Sequence, residues 1–195
     1  MSTAHIIPSS RIARFRAAIY RLYNERGRDL PWRRTNDPYR IVVSEIMLQQ
    51  TQVDRVCVKY PLFIKRFPSL KVLAGSSDAD ILGAWQGLGY NRRALSLKRM
   101  AGMVLERFAG KIPDDPLLLQ ELPGIGPATA RSICAFAFNR PVVFIETNIR
   151  SVFIHEFFKD KEGVTDDEIM PLVERTLDRD APCRWYNALM DYGVE

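Results

Sequence analysis

Apolar residues recur every three or four positions along most of the chain, and few segments alternate with the period of two that marks a half-buried strand. The first predicted helix shows this pattern on one face, which carries Ile12, Phe15, Ala18, Ile19 and Leu22. We expect Ser9 and Ser10 to cap its start and Gly27 to follow its end. The pattern as a whole predicts an all-α protein of about ten helices.

Further helical patterns follow along the chain. They cover 39–48, 53–67, 78–85, 94–108, 147–158, 166–178 and 185–192. The basic stretch LPWRRTNDPY at 30–39 is expected to be irregular because prolines bracket it, and GLGY at 87–90 predicts a turn. Residues 142–145 are expected to form a buried loop rather than a strand. We expect one unit over 1–195 with two helical lobes, a central lobe at about 30–137 and a second made of 1–29 plus 138–195.

Composition narrows the class of protein. The chain has 195 residues and a net charge of +5, and no run of about 18 apolar residues that would predict a membrane span. Cys57, Cys134 and Cys183 are widely spaced and form no CxxC pair, which argues against a disulfide framework and against zinc. These features exclude secreted, membrane and disordered classes and favour a cytoplasmic protein, associated with the nucleoid if prokaryotic. The basic excess permits a nucleic-acid partner.

The segment LPGIG at 122–126 lies between two helical patterns. Gly124 and Gly126 would leave backbone amides bare at the start of the helix that opens with Pro127, and the helix dipole would add to an anion site there. The alternative is a tight turn between helices with proline at the first helical position. The segment resembles the hairpin of helix-hairpin-helix DNA-binding proteins, which holds backbone phosphate without reading sequence.

Four segments together resemble the base-excision DNA glycosylases of the helix-hairpin-helix superfamily. They are LPWRRTNDPYRIVVSEIMLQQTQV at 30–53, GLGYNRRA at 87–94, ELPGIGPATA at 121–130 and FIETNIRSV at 144–152. The first is similar to the MutY branch, which removes adenine mispaired with 8-oxoguanine or guanine. The resemblance implies two helical lobes with a DNA-binding cleft between them, and double-stranded DNA with a mismatched or damaged base as partner of a monomeric protein.

The resemblance also implies catalytic residues. An enzyme that flips a base out of the duplex must help that base to leave, and protonation of an adenine ring nitrogen does so. Glu45 matches the position of the acid, with a surface glutamate on an amphipathic helix as the alternative. Glu146 takes the place of an aspartate that stabilises positive charge on the sugar, and its arm is one methylene longer. Glu146 as a plain helix cap is the alternative, and Asn148 matches a polar residue near the sugar.

The expected DNA contacts fall in three segments. They are Gln49, Gln50 and Thr51 after the second helix, Leu88, Tyr90 and Arg92 around the GLGY turn, and Gly124, Ile125, Gly126, Ala128 and Thr129 in the hairpin. Polar capping residues and a core tyrosine are the alternatives for the first two segments. A set of basic residues would contact phosphates if they share a face. That set is Arg33, Arg34, Arg92, Arg93 and Lys98.

Besides Glu146, a second departure from the family pattern affects the expected activity. Bifunctional relatives carry a lysine, and MutY relatives a tyrosine or serine, where this chain has Ala128. We therefore expect no lyase activity through a Schiff base. We also expect no metal site, iron–sulfur cluster or C-terminal recognition domain, whereas a monovalent cation at the hairpin is compatible with the resemblance. Removal of thymine or uracil opposite guanine, and DNA binding without catalysis, stay as alternatives.

Overall fold

The computed structural model describes residues 7–159 and 161–194, and over these ranges it contains helices and no strand. The α-helices are α1 (Ser9–Arg26), α2 (Pro38–Leu48), α3 (Val53–Arg66), α4 (Leu70–Gly75), α5 (Asp78–Trp85), α6 (Arg92–Arg107), α7 (Pro116–Gln120), α8 (Pro127–Phe138), α9 (Thr147–Phe157), α10 (Asp166–Thr176) and α11 (Pro182–Tyr192). A 3-10 helix covers Pro31–Arg34. The predicted all-α class is confirmed. Within the described ranges, no helix combines the length and the apolarity needed to cross a membrane.

Local sequence explains where the central helices begin. The Asp37 carboxylate accepts hydrogen bonds from the backbone N–H groups of Tyr39 (2.9 Å) and Arg40 (3.3 Å), so it caps α2. Pro38 and Pro127 occupy the first turns of α2 and α8, where a missing N–H costs nothing. These signals place α2 and α8 at the positions that the pattern predicts.

Three local predictions differ from the structure. Pro8 is the N-cap of α1, without a side-chain capping bond, so Ser9 and Ser10 are helical residues and their predicted capping role is wrong. The six-residue helix α4 was not predicted because it is too short to show a period, although Ser69 caps it. The basic stretch predicted to be irregular holds the 3-10 helix. Residues 142–145 contain no strand, as expected.

The chain divides into two compact units, one of which is Asp29–Asn139. Its core forms around α2, which packs against α3, α6 and α8. Five residues of α2 are fully buried, namely Val42, Val43, Ser44, Ile46 and Met47. A helix buried on so much of its surface has little freedom to move. The α2 side chains that reach the surface of this core are therefore held in place by it.

The second unit combines the residues up to Arg28 with those from Arg140 onward. Its centre is aromatic: the Phe15 ring lies edge-on to Phe153 (centroids 5.5 Å apart) and to Trp185 (6.1 Å). Arg28 Nε donates to the Oδ1 of the buried Asp191 at 2.6 Å, which joins the end of α1 to α11. These contacts bring together segments far apart in sequence, and α9 packs against α11 and against the Phe15 ring of α1.

Candidate functional site

Glu45 lies at the interface between α2 and α8. Its neighbours Ser44 and Ile46 are fully buried, and Glu45 itself is half-buried. Its Oε2 accepts a hydrogen bond from the hydroxyl of Ser132, which belongs to α8 and is 5% exposed; the O···O distance is 2.5 Å. The carboxyl group is thus held against the helix that follows the hairpin, rather than solvated on an open helix face. Nothing in the sequence pattern points to Ser132.

The end of α2 is tied to the hairpin. The side-chain amide of Gln49 donates to the carbonyl oxygen of Gly124 and to the hydroxyl of Thr129, both at 3.3 Å. The Thr51 hydroxyl lies 3.3 Å from the carbonyl oxygen of Leu88. Side chains of the predicted first segment therefore touch the other two predicted segments. The structure brings the three segments together in one unit.

Arg93 fastens two of these segments from inside. One guanidinium nitrogen, Nη1, donates to the carbonyl oxygens of Ile46 (2.9 Å) and Met47 (3.0 Å) and also to that of Gln49. The other, Nη2, donates to the Thr51 hydroxyl at 2.9 Å and to two carbonyl oxygens of the GLGY turn at 3.1 Å. A planar guanidinium suits such a set of acceptors because its donors form a fixed fork.

This position corrects the prediction of Arg93 as a phosphate contact. The side chain is buried, with 8% of the residue exposed, and burial lowers its pKa from the ordinary value. Its guanidinium carbon lies 5.5 Å from the ring centres of both Trp85 and Tyr90. Arg93 thus serves as an internal tie, and its exposed neighbour Arg92 is the member of the pair that faces solvent.

A cleft of about 470 Å³ opens where these segments meet. Five of the predicted DNA contacts line it, namely Gln49, Gln50, Tyr90, Arg92 and Gly124. Gln50 and Tyr90 have positive φ angles of 53° and 48°, which side chains other than glycine seldom adopt. Tyr90 is 56% exposed, so the alternative of a core tyrosine is wrong. The cleft therefore presents an aromatic ring, side-chain amides and one exposed arginine, Arg92, while Arg93 lines it from the buried side.

Two predicted contacts have buried side chains. Leu88 is 3% exposed and Ile125 is 5% exposed, since both pack into the core of their unit. Their apolar side chains anchor the two turns on which they lie. These two residues can therefore contact a ligand through their backbone groups rather than through their side chains.

The hairpin requires glycine at only one of its two glycine positions. Gly124 has φ +88°, and a Cβ there would lie 3.0 Å from the Ser96 Cβ. Gly126 has an extended conformation with φ −87°, and a Cβ added there would meet nothing within 4 Å. In the described part of the chain, no side chain caps the N-terminus of α8, and the following Pro127 and Ala128 are exposed. The exposed start of α8 is thus suited to an anion.

The other basic residues of the predicted set are engaged elsewhere. Arg34 forms a bidentate pair with Asp29, and Lys98 Nζ lies 2.6 Å from Asp78 Oδ1. Arg33 is half-buried at the end of the 3-10 helix. Unlike Arg92, none of these three lines the cleft. The structure does not gather the five predicted phosphate contacts on one surface.

Glu146 lies in the second unit as the N-cap of α9. Its Oε1 accepts hydrogen bonds from the backbone N–H groups of Asn148 and Ile149, each at 3.0 Å, so the capping alternative is present in the structure. Burial raises the pKa of Glu146 above its ordinary value, and the backbone donors at the start of α9 oppose this effect. Both capping bonds use one carboxylate oxygen. A capping role and a catalytic role are therefore compatible in geometry.

Asn148 lies against Gly193 in the same unit. A Cβ at Gly193 would lie 3.2 Å from both the Cβ and the carbonyl oxygen of Asn148. The small residue lets the end of α11 approach the first turn of α9.

Among residues 7–159 and 161–194, no group of three or more His, Cys, Asp or Glu side chains is arranged to hold a metal ion.

Several curated proteins are similar in sequence. The adenine DNA glycosylase of Mycobacterium tuberculosis is 42% identical over 131 residues, which are 67% of this chain and 43% of that protein. The adenine DNA glycosylase of Buchnera aphidicola subsp. Baizongia pistaciae is 36% identical over 185 residues, which are 92% of this chain and 52% of that protein. The chain thus spans about half the length of these relatives. A thymine/uracil-DNA glycosylase of Pyrobaculum aerophilum is 34% identical over 172 residues, 86% of this chain and 75% of that protein.

Solved structures share the fold. A thermostable thymine-DNA glycosylase superposes with a TM-score of 0.86 at 27% identity, over 95% of this chain and 87% of the other. An endonuclease III–DNA covalent intermediate superposes with a TM-score of 0.80 at 13% identity, over 96% and 86% of the two chains, which shows the fold alone. The model of one protein family matches residues 43–178. This match confirms the predicted superfamily, and the chain belongs to the HhH-GPD superfamily of base excision DNA repair proteins.

Proposed function

We propose that this protein is a monofunctional DNA glycosylase that hydrolyses the N-glycosidic bond of adenine mispaired with 8-oxoguanine or guanine. The observation that carries the proposal is the position of the Glu45 carboxyl group, packed between α2 and α8 in the unit that holds the hairpin and the cleft. The sequence similarity to adenine DNA glycosylases supports the choice of base.

The proposed chemistry divides the work between two carboxyl groups. Glu45 donates a proton to a ring nitrogen of the flipped adenine, which makes the base a better leaving group. Glu146, as a carboxylate, stabilises the positive charge that develops on the sugar, and Asn148 supports the same task. Water then completes the hydrolysis. Glu146 is suited to this role because its capping bonds fix its position while burial strengthens its electrostatic effect.

DNA binding is proposed for the cleft and the hairpin. Gln50 and Tyr90 lie on strained turns that line the cleft. In the proposal, the Gln50 amide hydrogen bonds and the Tyr90 ring stacks beside the extruded base. The exposed amides at the start of α8 are proposed to hold a backbone phosphate, with Arg92 as a second phosphate contact. Thr51, Leu88, Ile125 and Thr129 contribute by fixing the turns that carry these groups.

The proposal excludes a lyase step through the hairpin. Ala128 is exposed at the start of α8 and offers a methyl group where a Schiff base would need an amine. We include in the proposal a monomeric protein that acts in the cytoplasm and needs no metal, with a monovalent cation at the hairpin compatible with the loop. Its partner is double-stranded DNA.

A second candidate is removal of thymine or uracil opposite guanine. The observation in its favour is the similarity to a thymine/uracil-DNA glycosylase, which extends over 86% of this chain. Both candidates use the same fold and the same extrusion of a base. They differ in the base that the pocket accepts, and a substrate panel separates them.

In the decisive experiment, the protein is incubated with DNA duplexes that contain A·8-oxoG, A·G, T·G or U·G pairs. The DNA is then treated with alkali, and strand breaks are measured. We expect breaks at adenine, abolished by Glu45→Gln. Glu121→Gln is the control, because Glu121 is an exposed carboxylate of the same unit whose Oε2 pairs with Arg107 at 2.6 Å. Breaks at T·G or U·G alone would favour the second candidate. DNA binding without breaks would refute both, and breaks without alkali would refute the monofunctional mechanism.

A further inference from the structure

The Ser132 hydroxyl contacts two polar groups at the α2–α8 interface. Its oxygen is 2.5 Å from Glu45 Oε2 and 3.0 Å from the carbonyl oxygen of Thr129, one turn earlier on α8. Ser132 is buried, so neither contact competes freely with bulk water. A bond from a helical serine to a carbonyl oxygen three or four residues back is common. The contact with a carboxyl group on another helix is not part of that local pattern.

One hydroxyl group has one proton to donate and two lone pairs with which to accept. The carbonyl oxygen of Thr129 can only accept, and ionised Glu45 can only accept as well. When Glu45 is ionised, the Ser132 proton therefore goes to the charged oxygen, because a hydrogen bond to a charge is about twice as strong as one to a neutral carbonyl group. Ser132 thus stabilises the state that Glu45 reaches after it has given up its proton.

We assign the same direction to this bond in the protonated acid, as the structure has it, and the bond then decides which carboxyl oxygen carries the proton. While Oε2 accepts from Ser132, the proton that Glu45 can transfer resides on Oε1. The bond also fixes the rotation of the carboxyl group, which terminal torsions of glutamate otherwise leave broad. A proton donor that is already held in the reactive orientation does not lose conformational entropy when the reaction begins.

We propose that Ser132 is a positioning residue for Glu45, which fixes the orientation of the acid and stabilises the carboxylate formed when the proton is transferred to the departing base. This inference rests on the proposed function, since it assigns to Glu45 the role of proton donor. Ser132 itself touches no reacting atom. Its effect is exerted through Glu45.

The chain offers two matched variants for a test. Ser132→Ala removes the donor, and Ser132→Thr restores a hydroxyl group at the same place. Ser44→Ala is the control, because Ser44 is also buried and precedes Glu45 but donates to the carbonyl oxygen of Ile41 at 2.8 Å. Base release is measured in single turnovers across a range of pH, together with binding of the duplex and the melting temperature.

We expect Ser132→Ala to slow base release by roughly 10- to 100-fold while DNA binding is retained. Without the donated bond, Glu45 keeps its proton to higher pH, so the alkaline limb of the pH–rate profile moves upward. Ser132→Thr should restore most of the rate, and Ser44→Ala should match the unmodified protein. A merely structural role would lower the rate equally at every pH and leave the limb where it was, and that result would overturn the proposal.

Carbon-13 NMR of the Glu45 carboxyl group, assigned with Glu45→Gln, gives a readout that does not need activity. The titration midpoint should rise in Ser132→Ala. If no duplex releases a base but the midpoint rises, the control of Glu45 by Ser132 stands and the proposed function fails. If bases are released and neither the limb nor the midpoint changes, the proposed function stands and the role of Ser132 is refuted.

Discussion

Glu146 illustrates how one residue meets two opposing demands. As a carboxylate it caps α9 through bonds from the N–H groups of Asn148 and Ile149, and in the proposed mechanism it must stay charged. Burial nonetheless raises its pKa, which means that the folded protein favours the charged form of Glu146 less than the unfolded chain does. The charge that the proposed mechanism requires at Glu146 therefore costs stability, a compromise typical of functional positions.

The substitution Glu146→Gln separates these demands. The glutamine carbonyl oxygen can still accept from the α9 amides, while the charge is gone. Because the folded-state pKa is raised, the folded state binds the proton of Glu146 more tightly than the unfolded state does. That contribution is present at acidic pH and lost as pH rises through the raised pKa. We therefore expect a higher melting temperature than the parent at neutral pH, no difference at acidic pH, and base release slower by about 100-fold.

Glu168→Gln is the control with the opposite sign. Glu168 also accepts from an N-terminal amide, that of Thr165, but its side chain is 35% exposed, and its hydrogen bond with Lys161 lowers its pKa. Its contribution to stability is present above its ordinary pKa and lost on acidification. This variant should melt slightly lower at neutral pH and release bases normally. A lower melting temperature for Glu146→Gln, or an unchanged rate, would contradict the argument.

The family resemblance predicts Glu45 as the acid but gives no indication of the groups around it. Glu45 could be identified because it stands in a distinctive segment, whereas Ser132 lies 87 positions away and only the packing of α8 on α2 brings it close. By the resemblance, position 128 would carry a lysine or a hydroxyl side chain, but this chain has alanine there. The hydroxyl group that contacts Glu45 belongs to Ser132, one turn further along α8. Likewise, Arg92 and Arg93 are adjacent residues of the same type, and the sequence does not distinguish their roles. Only burial in the structure does so.

At the scale of elements, the site consists of short turns held by a rigid core. Periodicity predicted most of the helices because burial of one face repeats along each of them. The turns carry no such period, and their geometry depends on tertiary bonds such as those of Arg93. The positive φ angles of Gln50 and Tyr90 have no sequence signal, since neither residue is glycine. This strain is maintained by the surrounding structure, as at many functional sites.

The two hairpin glycines should respond differently to substitution. Gly124→Ala places a side chain at φ +88° and within 3.0 Å of the Ser96 Cβ, so we expect unfolding to require about 1–3 kcal/mol less free energy. Gly126→Ala adds a methyl group in open space on an extended backbone, so stability should change by no more than about 0.5 kcal/mol. Chemical denaturation measures both.

DNA binding gives the complementary result. A methyl group at Gly126 would stand where we propose that a phosphate approaches the bare amides of α8, so Gly126→Ala should bind a duplex more weakly despite its normal stability. Fluorescence anisotropy with a labelled duplex measures this effect. Binding at the parent level would remove the hairpin amides from the interface, and normal stability of Gly124→Ala would refute the need for glycine at that position.

At the scale of the whole molecule, the net charge of +5 overstates the surface available to DNA. Arg34 and Lys98 are paired with carboxylates, and Arg93 is engaged with backbone carbonyl groups. Of the predicted phosphate contacts, Arg92 is the exposed arginine that lines the cleft. In the proposal, much of the binding to the DNA backbone therefore comes from the neutral backbone amides at the start of α8. Composition permitted a nucleic-acid partner, but only the fold shows which charges can reach one.

The salt dependence of DNA binding tests this view. Each cation that contacts a phosphate releases counterions, so Arg92→Gln should lower the slope of log affinity against log salt by about 1. Arg93→Lys should leave that slope unchanged and instead lower the free energy of unfolding, because an ammonium group cannot satisfy the acceptors that the guanidinium serves. Titrations over a series of salt concentrations, paired with chemical denaturation, measure both effects. If Arg93→Lys changed the slope as Arg92→Gln does, the internal role assigned to Arg93 would be wrong, because a residue buried as a tie releases no counterions.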